Sequence, residues 1–173
     1  MDIFLEILKY LAPALLMLLL TYLMLSSFTE NEENRRRYYL KKETQKQSLP
    51  IRMQAYERVT LFLERITPNS LLVRTPSKGL NAVEYQTLLL KTIRSEFEYN
   101  LSQQIYMSED AWQMVVTAKS ATVSIINKTA STMEPGSSGA DLSKKILEHA
   151  MSLGTFPTKN AIHFLKTEAY KEF

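Results

Sequence analysis

An uncharged stretch of nineteen residues, Tyr10–Phe28, lies near the start of the chain and constrains its fold more than any other feature. At about 1.5 Å per residue in a helix, this stretch spans roughly the hydrocarbon thickness of a bilayer. A cleaved signal peptide would have a basic leader and a shorter apolar run, but here the leader contains Asp2, Glu6 and Lys9. We therefore expect residues 1–28 to form a retained transmembrane anchor.

The basic residues around this stretch predict its orientation. Lys9 alone precedes it, whereas six basic residues follow it: Arg35, Arg36, Arg37, Lys41, Lys42 and Lys46. Lysine and arginine near a span favour the cytoplasmic side. The sequence therefore predicts a single-pass protein whose N-terminus lies outside and whose C-terminal body is cytoplasmic.

Residues 29–49 read as a charged juxtamembrane linker, expected to be helical until Leu49-Pro50 breaks the helix. The basic residues and Tyr38-Tyr39 have two readings. In the first, they bind anionic lipid headgroups, and each basic side chain contributes about 1 kcal/mol of attraction at the surface. In the second, they are a topology signal on a solvated helix. No recognisable RNA-binding module accompanies them, so no nucleic acid is expected.

A helical domain is expected over residues 50–133, and its first helix carries an apolar face at three- to four-residue spacing. That face comprises Met53, Tyr56, Val59, Phe62 or Leu63, and Ile66. Glu57-Arg58 recurs as Glu64-Arg65 seven residues later. This charged stripe is either a solvated surface or a candidate partner-binding face.

A long helical hairpin should form the centre of the domain. Asn81 is expected to cap a helix that runs to about Tyr106, and Ser108 to cap a second one. Residues 70–80 between the first helix and the hairpin are expected to be a short extended piece or a buried loop. The apolar positions of the hairpin are Val83, Leu89, Leu90, Ile93, Phe97, Leu101 and Ile105, then Trp112, Val115, Val116, Val123, Ile126, Ala130 and Met133.

Residues 134–139 have the composition of a linker, because they combine proline, glycine and serine. Beyond them, residues 140–173 are expected to form a C-terminal helical pair. The first helix carries Leu142, Ile146, Ala150 and Leu153; the second is capped by Thr158 and carries Ile162, Leu165, Ala169 and Phe173. The sequence leaves open whether this pair packs on the hairpin.

No residue pattern indicates catalysis, a cofactor or a metal site. The chain has no cysteine and only four glycines, which argues against thiolate chemistry and against phosphate-binding loops. His149 and His163 lack a second ligand at helical spacing. We expect no enzyme; a site invisible in the sequence, using His149 or His163, is the alternative.

The segment Gln54–Ile66, with Glu84-Tyr85-Gln86 and Gln103-Gln104-Ile105-Tyr106, resembles a family of small uncharacterised membrane proteins from Bacteroidota-type bacteria. This resemblance implies a bacterial inner membrane and no assigned activity. Together the observations predict an all-α, membrane-anchored accessory subunit or scaffold whose partners are the bilayer and other subunits of a membrane complex. An anionic-lipid-binding module is the alternative.

Overall fold

The computed structural model describes residues 2–172, with the backbone alone for residues 2–10, 12, 14, 44–47 and 172. All elements in this part of the chain are helices, which confirms the all-α class. The contacts divide the chain into two compact units, and the boundary between them falls between Leu49 and Pro50.

The first helix, α1, comprises Asp2–Arg65. The helix break predicted at Leu49-Pro50 is therefore wrong. A proline inside a helix removes one backbone hydrogen bond and favours a kink or a break, but in this chain the helical backbone continues through Pro50.

The predicted anchor, residues 1–28, falls at the start of α1, and the side chains of residues 1–10, 12 and 14 lie outside the described part. Within that part, none of the helices has the length and apolar character needed to cross a bilayer. Within the predicted anchor, the side chains are described without a gap over residues 15–28, which is shorter than the roughly 20 residues of a typical span.

Helix α2 comprises Pro68–Arg74 and replaces much of the extended piece or loop expected over residues 70–80. Pro68 occupies the first turn of α2, where its missing N–H is not needed. Leu71 and Leu72 are buried, so this short helix contributes to the core.

Helices α3, Ala82–Asn100, and α4, Glu109–Ser131, form the predicted hairpin. Both predicted caps are present: the Asn81 side chain accepts from the backbone N–H of Glu84, and that of Ser108 from Ala111.

The predicted continuation of α3 to Tyr106 is wrong, because a 3₁₀ helix, Leu101–Tyr106, follows Asn100. The buried Asn100 side chain donates to the backbone carbonyl of Glu96 at 2.8 Å, and side-chain bonds of this kind compete with the helical ladder. Leu101 and Ile105 are exposed, so the apolar face of α3 ends at Phe97. Val83, expected on that face, is exposed as well.

Helices α5, Gly139–Ser152, and α6, Pro157–Glu172, follow the predicted linker. Helix α5 packs on α3 and α4, and α6 packs on α4, which answers the question that the sequence left open. Thr158 lies inside α6 and is buried; Phe173 lies outside the described residues.

The core of the second unit draws on all six described α-helices and not on the 3₁₀ helix. In α1 the predicted apolar face is buried from Tyr56 onward, whereas Met53 is exposed. Large side chains with almost no exposure are Val59, Phe62, Leu63, Ile66, Leu71, Tyr85, Leu89, Ile93, Ile126, Leu142, Ile146 and Leu165.

Candidate functional site

Five of the predicted lipid-binding residues, Arg35, Arg36, Arg37, Lys41 and Lys42, lie on the exposed surface of α1, where two of them have acidic neighbours. Arg35 lies 3.8 Å from Glu32 and Arg37 lies 2.8 Å from Glu33. Both pairs are solvent-exposed, and exposed ion pairs contribute little to stability. They do reduce the positive charge that this segment offers to an anionic surface.

The remaining basic residues of this segment keep their charge available. In the described part of the chain, no ion pair involves Arg36, Lys41 or Lys42, and all three are exposed. The rings of Tyr38 and Tyr39 lie beside them in an edge-to-face contact, with centroids 6.0 Å apart. The side chain of Lys46 lies outside the described residues.

The predicted partner-binding stripe separates into two parts. Glu57, Arg58 and Glu64 are exposed, and none of them takes part in an ion pair among the residues described. Arg65 instead binds Glu96 of α3, with 3.2 Å between Nη1 and Oε2. Arg65 therefore has an internal structural contact that the sequence pattern did not indicate.

Glu96 is shared by two guanidinium groups, because Arg74 of α2 also binds it, with 2.6 Å between Nη2 and Oε1. Burial alone would raise the pKa of Glu96, but the hydrogen bonds and positive charges of Arg74 and Arg65 outweigh burial and lower it. This cluster joins α1, α2 and α3 and carries one net positive charge.

A second carboxylate, Glu168 of α6, joins three helices. It accepts hydrogen bonds from the hydroxyl of Tyr56 in α1 and from Ser108, the cap of α4, at 2.8 Å. Ser108 thus caps α4 and holds α6 through the same oxygen. We infer that these hydrogen bonds of Glu168 stabilise the packing of α1, α4 and α6.

The two histidines are far from the geometry of a metal site. His149 Nδ1 lies 3.2 Å from Thr129 Oγ1, and His163 is exposed. Among the described residues, no group of three or more potential metal ligands is found.

A groove of about 670 Å³ lies between α3 and α4. Leu90, Ile93 and Phe97 of α3 and Val123 of α4 give it an apolar floor, and Arg94, Glu98 and Lys119 are its charged residues. Its volume falls within the roughly 300–1,000 Å³ typical of ligand pockets.

An aromatic stack supports this groove. The Phe97 ring stacks on Trp112, with centroids 5.6 Å apart, and contacts Phe62 on α1 at 5.7 Å. The ammonium group of Lys119 lies 3.8 Å from the centroid of the Phe97 ring, a distance suited to a cation–π interaction. The stack therefore holds a cation over an apolar floor.

Comparison with known proteins identifies one family, described as "Family of unknown function (DUF7935)", whose match covers residues 2–172. The chain belongs to this family. Comparisons with curated proteins and with solved structures gave no match. The expected resemblance to an uncharacterised family is confirmed, whereas the Bacteroidota source and the membrane character stay predictions because the DUF7935 match indicates neither.

Membership of this family of unknown function gives no role to any residue, so the groove is identified from its geometry alone. The spacing of apolar and charged residues did not predict this groove, although the sequence contains one signal of it. Lys119 is the only charged residue in the segment 111–127. A lysine in a helix that packs on its neighbours usually needs an interaction partner for its charge. The ammonium group of Lys119 has one in the Phe97 ring.

Proposed function

We propose that this protein is a non-enzymatic accessory subunit or scaffold attached to a bacterial inner membrane through the start of α1. One observation carries the proposal. The large apolar side chains between Leu11 and Phe28 whose positions are described are between 52% and 79% exposed. Such a continuous apolar surface marks an interaction site, and a bilayer is the occupant that matches an uncharged helix on every face.

Two hydroxyl groups in and beside the stretch support this proposal. Thr21 donates to the carbonyl of Met17 at 2.7 Å, and Thr29 donates to the carbonyl of Leu25 at 2.6 Å. In an apolar medium a bond of this kind stabilises a hydroxyl group, and these two threonine hydroxyls have theirs on the same helix.

The basic residues from Arg35 onward support a cytoplasmic body by the positive-inside rule. The body itself supports a binding role rather than catalysis. The two described carboxylates that are partly buried, Glu96 and Glu168, bind side chains that join helices. Because these two carboxylates stabilise helix packing, we infer that the function of this domain lies in its exposed binding surfaces.

A cell-membrane experiment tests the proposal. The full chain should remain in bacterial membranes through an alkaline wash, and mild detergent should release it together with another protein at a fixed ratio. Replacing Leu18 and Leu19 by lysine should release the chain into the wash, because a lysine at the centre of a span costs roughly 2.5–3.5 kcal/mol. Leu61→Lys, an exposed leucine of the body, is the matched control.

Release of the unaltered chain by the wash would refute membrane attachment, and recovery as a lone monomer would refute the subunit role. An anionic-lipid module is the second candidate, favoured by the exposed Arg36, Lys41 and Lys42. Under that alternative, replacing these three residues by glutamine abolishes binding of residues 29–173 to anionic vesicles. Under the anchor proposal, the same replacement leaves the full chain in the membrane.

A further inference from the structure

We propose that the groove between α3 and α4 binds a single-chain amphiphile with an anionic head group, namely a long-chain fatty carboxylate. Its carboxylate would lie at Lys119 and Arg94, and its alkyl chain along Leu90 and Val123. This binding site is independent of the proposed membrane attachment.

The charges of the groove favour an anionic head. Lys119 and Arg94 line it together with a single acid, Glu98, and none of the three takes part in an ion pair with another described residue. A neighbouring depression adds Lys91 beside Arg94 and Glu98. The rim therefore carries a net positive charge that is complementary to a carboxylate.

The position of Lys119 favours a ligand that reaches the groove floor. This side chain is only partly exposed, and its ammonium group lies over Phe97 rather than over a carboxylate. A cation held over an aromatic ring keeps its remaining hydrogen-bond donors available. A carboxylate can accept from them in a charge-assisted bond, which is stronger than a neutral one.

The floor favours an alkyl chain over a polar ligand. Leu90 and Val123 are partly exposed and contribute no hydrogen-bonding side-chain atoms. Two uncharged polar residues that line the groove already have hydrogen-bond partners: Asn127 accepts from Gln86 at 2.9 Å, and Ser120 donates to the carbonyl of Val116 at 2.8 Å. An extended alkyl chain covers such a floor without leaving a buried polar group unpaired.

Fluorescence of Trp112, the single tryptophan of the chain, measures the binding because its ring stacks on the groove residue Phe97. The full chain is titrated with dodecanoate below its micellar concentration, with equal amounts of neutral phosphatidylcholine discs in every sample. We expect saturable binding at least about tenfold tighter than that of dodecylamine, which has the same chain and the opposite charge.

Lys119→Gln and Arg94→Gln should each weaken dodecanoate binding several-fold. Lys128→Gln removes the same charge from the same helix outside the groove and should leave binding unchanged. Equal affinities for dodecanoate and dodecylamine would overturn the proposal, as would equal effects of Lys119→Gln and Lys128→Gln. None of these results depends on whether the chain enters the discs, so failure here is distinct from failure of membrane attachment.

Discussion

Glu96 illustrates how a single residue can join helices that a sequence pattern treats separately. Its side chain is only 16% exposed and contacts two guanidinium groups whose own side chains are 44% and 40% exposed. Arg65 belonged to a predicted surface stripe, and Arg74 to a segment with no predicted role. Neither spacing nor composition indicated that α3 would bring a carboxylate to both.

Replacing Glu96 by glutamine should lower the free energy of unfolding by about 1 kcal/mol at neutral pH, because the charged bonds to Arg65 and Arg74 are lost while both arginines stay partly solvated. Urea unfolding followed by Trp112 fluorescence measures the change. Glu98→Gln removes the same charge two residues later, from an exposed carboxylate, and should change stability by less than about 0.5 kcal/mol. Equal effects of the two variants would contradict the prediction.

The same variant tests the pH dependence of this cluster. The pKa of Glu96 is lower in the folded state than its ordinary value of 4.5. Its stabilising contribution is therefore complete above about 4.5 and is lost as the pH falls through the lowered pKa. The stability difference between the unaltered chain and Glu96→Gln should shrink over that acidic range.

At the scale of helices, the sequence predicted those features that depend on neighbouring residues. The caps at Asn81 and Ser108 are local, and both are present. The end of α3 depends on a buried Asn100, which only the packed structure reveals. The predicted linker 134–139 has the composition of a flexible segment, but Ser137 and Gly139 make backbone bonds of 2.9 Å to Ala82 and Leu80, more than fifty residues earlier.

The same distinction between local and long-range features applies to the candidate site. The basic surface of α1 could be read from consecutive residues, whereas the groove needed two helices packed side by side. Phe97 was predicted as an apolar position of α3, but its contacts with Trp112 and Lys119 join residues that are fifteen or more positions apart. Sequence periodicity indicates which face of a helix is buried, and it does not indicate which partner covers that face.

The start of α5 gives the prediction at this scale. A Cβ atom on Gly139 would lie 3.0 Å from Cβ of Tyr85 and 3.1 Å from the carbonyl oxygen of Leu80. Alanine normally stabilises a helix by about 1 kcal/mol relative to glycine. At position 139, however, the added methyl group overpacks the contact, so Gly139→Ala should lower the free energy of unfolding by roughly 1–3 kcal/mol. Thermal and urea unfolding measure this change.

Ala140→Gly is the matched control for Gly139→Ala, because residue 140 is the next in the helix and is exposed. Ala140→Gly should lower the free energy of unfolding, as intrinsic helix propensity predicts. Glycine should therefore be less stabilising than alanine at position 140 and more stabilising at position 139. A Gly139→Ala variant as stable as the unaltered chain would show that α5 can move away from α3 without loss.

For the whole molecule, burial is distributed unequally between the two units. The buried residues of the described chain lie between Ala55 and Leu165, and all described side chains of the first unit are exposed. Buried apolar surface provides most of the favourable free energy of folding. The second unit therefore contains the residues that its own stability requires, including the C-terminal part of α1.

A fragment of residues 50–173 should consequently fold by itself and unfold cooperatively in urea, with the same midpoint as the full chain, as measured by Trp112 fluorescence and circular dichroism. A fragment of residues 67–173 should not fold, because it lacks Val59, Phe62 and Leu63. Each of these buried side chains is worth about 1.5–3 kcal/mol, so their loss approaches the total of roughly 5–15 kcal/mol that stabilises a domain. An unfolded 50–173 fragment, or a cooperative 67–173 fragment, would show that the core is assigned to the wrong part of the chain.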